Sequence, residues 1–277
     1  TPAMVTGSSL HYMQQQFPSR TFDVGIAEEH AVTFAAGLAT QGLLPFLVIY
    51  STFLQRGYDQ LIHDVALQEL KVIFCIDRAG LVGEDGATHQ GVFDIAYLRC
   101  IPNIEIVAPR NEIELRNMLY TAQLPEQEKA LAIRYPRGYG QLTVWQLPFE
   151  KIEKKGVLLR EGSRYAVLSV GTIADEVAQE IDLHPEAAAF AHYDMRWIKP
   201  LDEALLHHIL SQYEAVITVE EGCKAGGFGE SIVVFAKEKG YSLPIKIVAI
   251  ADVFVEQGTV ALQREFASLT NLLNVAF

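Results

Sequence analysis

D-V-G-I-A-E-E-H-A-V-T-F-A-A-G-L-A, residues 23–39, leads through T-Q-G into L-L-P-F-L-V-I-Y, residues 43–50, and the fold reading turns on this stretch. The spacing predicts a helix from Glu28 to Thr40 closed by Gly42, then a buried strand from Phe46 to Tyr50. Ala31, Ala35, Ala36, Gly37 and Ala39 give that helix a small-residue face that can pack very close to a neighbour. Glu28 stands at its start, where free N–H groups and the helix dipole favour an ionised carboxylate. Two readings stand for the pair Glu28 and Glu29. They decorate a first helical turn, as acidic residues often do, or Glu28 serves proton chemistry on a heterocycle held in an apolar pocket.

The same alternation continues outward. Phe53 to Leu70 reads as a long amphipathic helix, Val72 to Asp77 as a buried strand, and Ala79 to Gly91 as a glycine-rich loop. Ile104 to Ala108 is a strand, Asn111 an N-cap for a helix through Ala122, and Leu131 to Tyr135 a strand running into Y-P-R-G. A second alternating set has strands at Tyr165–Val170, Phe190–Asp194, Ala215–Val219 and Ile245–Ile250. Helices are expected between them near 173–184, 201–212 and 230–239. Strands that are apolar throughout, alternating with helices, predict two α/β domains, each with a mostly parallel sheet flanked by helices. The rhythm fails between Gly138 and Lys155, where Trp145, Pro148 and a charged run mark a linker. The expected division is a first domain at 1–145, a linker at 146–160 and a second domain at 161–277.

A length of 277 residues suits two domains, and half the residues are apolar, enough for a sizeable core. The formal charge of −12 argues against nucleic acid, whose phosphates need a basic face, but not against small anionic substrates that local arginines can hold. Three cysteines without CxxC spacing suit buried thiols in a reducing compartment. No apolar run reaches transmembrane length and no signal peptide is visible. The chain opens at Thr1-Pro2-Ala3 without an initiator Met, which leaves open that it is a piece of something longer.

The loop L-V-G-E-D-G-A-T-H-Q-G, residues 81–91, follows a predicted strand, and ligands of open α/β sheets bind at such strand ends. It combines three glycines with Asp85 and His89. Arg78 and Arg137 also fall just after strands, so both reach one sheet edge and could clamp a phosphate or carboxylate; surface salt bridging is the alternative for either alone. In Y-S-T-F-L-Q-R, residues 50–56, Ser51 or Thr52 is a plausible N-cap. Tyr50 and Phe53 could offer an aromatic face to a heterocycle, or Phe53 could simply pack in the core. Asn111 is better explained by helix capping than by a metal. The glycines at 222, 226, 227 and 229 do not fit GxGxxG, have no obvious acidic partner, and suit tight packing at a helix start. His207 and His208 read as solvated, and no zinc pattern is present.

Taken together these motifs resemble a known family. F-D-V-G-I-A-E-E-H-A-V-T-F-A-A-G-L-A is similar to the cofactor-activating segment of transketolase-like thiamine diphosphate enzymes. Y-S-T-F-L-Q-R, H-D-V-A-L-Q, I-D-R-A-G-L-V-G-E-D-G-A-T-H-Q-G and Y-L-R-C-I-P narrow the resemblance to the family of 1-deoxy-D-xylulose-5-phosphate synthases. It continues through R-Y-P-R-G, M-R-W-I-K-P-L-D and T-V-E-E-G, so nearly the whole chain is covered. The resemblance implies the family's pyrimidine-binding domain followed by its C-terminal domain. The N-terminal diphosphate-binding domain and its magnesium motif are absent, so the chain is similar to the last two of three domains.

What the resemblance implies follows residue by residue. Glu28 would hydrogen-bond N1′ of the cofactor's aminopyrimidine and promote its imino tautomer, and Phe53 would stack on that ring beside Tyr50. Arg78 and Arg137 would grip the phosphate of the aldehyde substrate. Tyr50, Arg56, Asp85 and His89 would line the substrate cavity, with His89 a proton shuttle. Glu29 stands where relatives often carry Gln. The implied reaction joins pyruvate to D-glyceraldehyde 3-phosphate with loss of CO₂, giving 1-deoxy-D-xylulose 5-phosphate, a precursor of isoprenoids, thiamine and pyridoxal. The implied enzyme is a homodimer that uses thiamine diphosphate and Mg²⁺, cytoplasmic in a bacterium or plastid-borne in a eukaryote. The isolated chain is expected to be inactive. Rival readings are a transketolase, an oxo-acid dehydrogenase beta subunit, or a non-catalytic dimerisation module.

Overall fold

Runs such as F-L-V-I-Y, I-F-C-I-D, I-E-I-V and A-L-A-I-R carry apolar side chains on both faces, which only a strand covered on both sides can bury. In the computed structural model, which describes residues 1–140, 142 and 147–274, they form such a sheet; Trp145 lies outside the described residues. The strands are β1 (Phe46–Tyr50), β2 (Ile73–Asp77), β3 (Ile104–Val107), β4 (Ala130–Arg134), β5 (Val157–Arg160), β6 (Tyr165–Val170), β7 (Phe190–Asp194), β8 (Trp197–Lys199), β9 (Ala215–Cys223) and β10 (Ile245–Ile250). The helices are α1 (His11–Gln16), α2 (Glu28–Thr40), α3 (Ser51–Leu54), α4 (Tyr58–Gln60), α5 (Asp94–Arg99), α6 (Glu112–Thr121), α7 (Ile173–Leu183), α8 (Glu203–Gln212), α9 (Phe228–Glu238) and α10 (Val260–Phe266).

Two five-stranded sheets result, in the orders β1-β2-β4-β3-β8 and β10-β9-β6-β7-β5. Each is parallel except for one antiparallel edge strand, β8 on β3 and β5 on β7. The expected fold class, two mostly parallel sheets flanked by helices, is the fold observed. Val157–Arg160, inside the segment read as linker, is the edge strand of the second sheet. Strand β8 follows β7 of the second sheet yet pairs with β3 of the first, placing Lys199 opposite Ile106 and Trp197 opposite Val107. Three residues are too few to announce a strand, and tertiary pairing decides this one. The expected helix from Phe53 to Leu70 begins earlier, at Ser51, and ends at Ala66. A 3₁₀ turn at Gln55–Gly57 and a π-helical stretch at Leu61–Ala66 interrupt it.

Charged groups tie the two halves together. Arg134, buried at the end of β4, pairs with the fully buried Asp94 of α5 at 3.1 Å and donates to the Glu221 carbonyl of β9. Arg99 of α5 donates to the carbonyls of Gly226 and Gly227. Lys199 donates to the carbonyls of Arg99 and Ile101. The glycine cluster at 222–229 does mark a helix start, but it has an acidic partner after all. The buried Glu220 carboxylate accepts from the N–H groups of Phe228 and Gly229, capping α9. His207, read as solvated, is half-buried, with Nδ1 at 2.8 Å from the Tyr241 hydroxyl and its ring edge-on to Phe235. Of the three free cysteines only Cys75 is buried.

Two measurements check this interior. Asp94→Ala leaves the Arg134 guanidinium buried and uncompensated and is expected to lower unfolding free energy by about 3–5 kcal/mol in urea titration. Adding Arg134→Met should recover much of that loss. Burial pushes the Glu220 carboxyl up to about 7 against the pull of the two backbone N–H groups, Arg134 and Arg99. A raised carboxyl pKa means the native chain keeps a proton that the unfolded chain releases. This contribution is whole below the ordinary value of 4.5 and is lost as pH rises toward 7. Urea titrations from pH 4.5 to 7 should therefore show a shallower fall in stability for Glu220→Gln than for the parent. The slope that remains comes in part from Asp194, which burial also raises to about 7.

Candidate active site

Eight side chains singled out in the sequence meet in one unbroken string of contacts. Glu28 is the first residue of α2 and is 3% exposed. Its Oε1 lies 2.7 Å from Nη1 of Arg56. That reach depends on Gly57, the next residue. A Cβ there would sit 2.8 Å from Val32 Cγ2 and 3.2 Å from the Glu28 carbonyl, so only glycine lets the two helical segments approach this closely.

The string continues through aromatic faces. The Arg56 guanidinium lies 5.0 Å from the Phe53 ring centre. Phe53 stacks on Tyr50 at 5.5 Å with an interplanar angle of 11° and meets His89 edge-on at 5.3 Å. Arg78 lies 3.8 Å over the Tyr50 ring. Asp85 then bridges both strand-end arginines, with Oδ2 at 3.5 Å from Arg78 Nε and 3.0 Å from Arg137 Nε. Arg78 also pairs with Asp77 at 2.9 Å and donates to the Gly7 carbonyl. It adopts a left-handed backbone, φ 60°, uncommon for a non-glycine residue, which turns the chain sharply out of β2.

Local geometry explains why the loop reaches the aromatic pair. Gly80 and Gly91 pair through both backbone hydrogen bonds at 2.7 and 2.8 Å, closing the loop at its base. A Cβ on Gly91 would lie 2.0 Å from the Arg78 carbonyl, so the close approach needs glycine. Neither Ser51 nor Thr52 caps the helix after β1. The N-cap is Tyr50, without a side-chain bond, and the Thr52 hydroxyl instead donates to the Thr88 carbonyl in the loop. The His89 Nδ1 lies 3.0 Å from the Thr88 hydroxyl. Burial raises the Tyr50 phenol, with Arg78 pulling the other way, and burial likewise raises the Asp77 carboxyl against Arg78. Sequence reasoning missed Gly57, Asp94, Arg134 and the second-domain contacts to this loop. Only the distant glycine at 57, one residue after a charged side chain, carried any local signal.

The arrangement joins an almost fully buried carboxylate through Arg56 to a half-buried aromatic ring, with two further guanidinium groups beyond Tyr50. Residues 1–141 match the family described as transketolase, pyrimidine binding domain, and residues 154–271 match transketolase, C-terminal domain. The chain belongs to this thiamine diphosphate-dependent family, as its pyrimidine-binding domain followed by its C-terminal domain. More particularly, it is 51% identical over 260 residues to a 1-deoxy-D-xylulose-5-phosphate synthase of Cytophaga hutchinsonii, covering 93% of this chain and 41% of that protein. It is likewise 51% identical over 264 residues to the synthase of Bacteroides fragilis, covering 94% of this chain and 40% of the other. The chain thus spans about 41% of the length of such relatives. Among solved structures it is similar to a split-gene transketolase described as an inactive beta4 tetramer. The TM-score is 0.83 with 28% identity, covering 97% of this chain and 86% of that one. Transketolase of Campylobacter jejuni shares the fold, with a TM-score of 0.69 at 20% identity over 88% of this chain and 37% of its own.

Gly57→Val tests the close approach behind the carboxylate. The overpacked site should cost about 1–3 kcal/mol, read as a lowered thermal midpoint.

Proposed function

We propose that these residues form the pyrimidine and acceptor side of a 1-deoxy-D-xylulose-5-phosphate synthase, which condenses pyruvate with D-glyceraldehyde 3-phosphate and releases CO₂. The observation that carries this reading is the contact string itself, running from the sheltered Glu28 carboxylate through Phe53 to two arginines that share Asp85. In this reading residues 1–145 are the pyrimidine-binding part, and the linker expected at 146–160 gives up Val157–Arg160 to the C-terminal domain, which runs on through 161–277.

The donor set suits the aminopyrimidine half of thiamine diphosphate. Glu28 offers an acceptor shielded from water, and the partly buried Phe53 ring offers a flat apolar face. When bound, that cofactor supplies the carbon nucleophile and the electron sink for decarboxylation. Glu28 holds the proton shared with ring nitrogen N1′, and Arg56 fixes the carboxylate's orientation. Tyr50 backs the Phe53 ring and keeps water from it. His89, edge-on to Phe53, is assigned to move a proton at the substrate's oxygen. Arg78 and Arg137 bind the aldehyde's phosphate, a task that two guanidinium forks suit. Asp85 keeps both arginines aimed at one point, and the incoming dianion competes with it for them. Among the described residues no group of three or more His, Cys, Asp or Glu side chains is arranged to hold a metal ion. Magnesium, from the family resemblance, is proposed to be bound on the N-terminal diphosphate-binding domain. The same reading makes the complete protein a homodimer of the bacterial cytoplasm, supplying isoprenoid and thiamine precursors.

A second reading draws on the split-gene transketolase, most of whose chain this one matches. There the chain would work beside a separately encoded diphosphate-binding partner. Product identification with pyruvate and each candidate acceptor aldehyde distinguishes the two.

In the complete protein, Glu28→Ala should lower the rate with pyruvate and glyceraldehyde 3-phosphate by on the order of a hundredfold or more. An unchanged rate would favour the non-catalytic dimerisation module instead. Arg137→Ala should raise KM for glyceraldehyde 3-phosphate by about tenfold or more, through loss of a charge-assisted contact, with little change in KM for pyruvate. The 277 residues assayed by themselves with both substrates should show no turnover.

A further inference from the structure

The loop that carries Asp85 and His89 has almost no regular structure of its own, only single 3₁₀ turns at Gly83–Asp85 and Ala87–His89. Its base is closed by the Gly80–Gly91 pair, which leaves its far side to be held from elsewhere. That hold comes from the last helix of the second domain, 180 residues away in sequence.

Gln263, in the middle of α10, is 2% exposed. Its side-chain oxygen accepts from the Gly83 N–H at 2.8 Å, and its side-chain nitrogen donates to the Gly83 carbonyl at 2.9 Å. One amide therefore satisfies both backbone groups of a loop residue, as a paired strand would. The same nitrogen donates to the Glu256 carbonyl at 2.8 Å, tying the loop to the segment that leads into α10. A second amide repeats the device in reverse. Gln90 of the loop accepts from the Val82 N–H and donates to the Val255 carbonyl. Buried backbone groups left without partners are costly, so these bonds select one loop conformation over others. Asp85 lies two residues beyond Gly83, and its carboxylate holds Arg78 and Arg137 together.

We infer that Gln263 is a positioning residue for acceptor recognition: through Gly83 it fixes the loop so that Asp85 aligns the two arginines that bind the substrate phosphate. The second domain is thereby a working part of the acceptor subsite. This rests on the assignment of Arg78 and Arg137 under the proposed function.

The test uses the complete protein with Gln263→Leu, which keeps the apolar volume and removes the amide. KM for glyceraldehyde 3-phosphate should rise at least fivefold, while KM for pyruvate stays within twofold and kcat falls less than KM rises. Hydrogen exchange at the amides of residues 82–90 should quicken at least tenfold, with core strands unchanged. Leu262→Ala, an exposed neighbour on the same helix, should alter neither. Equal exchange in parent and variant overturns the inference, as does a parallel rise of both KM values. Should Gln263→Leu unfold, Gln263→Glu decides by the same readouts, because it keeps an acceptor for the Gly83 N–H and loses the donor. If the parent fails to use glyceraldehyde 3-phosphate at all, the functional assignment falls, and loop exchange still decides whether Gln263 holds the loop.

Discussion

A guanidinium shut away from water must find a counter-charge, and Arg134 finds it in Asp94. That requirement sets the relation between the two halves of the molecule. Arg134 ends β4 of the first sheet, Asp94 opens α5, and Nη2 of Arg134 donates to the Glu221 carbonyl of β9 in the second sheet. The Glu221 side chain then takes Arg264 of α10, which also reaches Glu176 of α7. One buried charge thus passes its geometry to the helix that carries Gln263. Strand β8 reinforces the relation from the other edge, since it leaves the second sheet to complete the first. Each domain contributes an edge or a clamp to its neighbour, and the loop between Gly80 and Gly91 lies where those contributions meet.

The electrostatics of the site follow from that frame. The chain as a whole is acidic, yet the strand ends gather Arg56, Arg78 and Arg137 around three carboxylates. Each arginine is spoken for by an acid: Arg56 by Glu28, Arg78 by Asp77 and Asp85, Arg137 by Asp85. Such pairing keeps like charges close together without a bound anion. A dianion can displace a single shared carboxylate more readily than two separate ones, because Asp85 divides its attraction between partners. The half-exposed Arg137 side chain can move toward solvent, whereas Arg78, pressed against Tyr50, is held by the ring beneath it.

Much of this was legible in the residues because apolar runs and helix-start signals are local. Helix α2 and strands β1 and β6 have the bounds that periodicity predicts, and Asn111 caps α6 through a 3.0 Å bond to the Glu114 N–H. The eight residues singled out by strand-end placement and motif resemblance come together in the structure. What escaped notice depends on partners far along the chain. Glu220 was overlooked because the N–H groups it caps lie eight and nine residues ahead, across a turn. Thr52 looked like a cap because its hydroxyl had a local use, yet it bonds the loop 36 residues away. Nothing about Gln263 in A-L-Q-R-E-F distinguishes it from a surface glutamine.

The two sheets share one plan, four parallel strands with an antiparallel fifth at one edge, but they use their strand ends differently. In the first sheet the ends of β1, β2 and β4 bring Tyr50, Arg78 and Arg137 into one cluster around Asp85. In the second, the end of β9 is spent on structure: Glu220 caps α9 and the Glu221 pair braces α10. Parallel sheets collect helix starts and loop freedom at one end, so both could have carried chemistry. The division of labour follows from Arg134. Once its carbonyl partner sits at the end of β9, that edge faces the first domain and becomes the wall against which the loop is set.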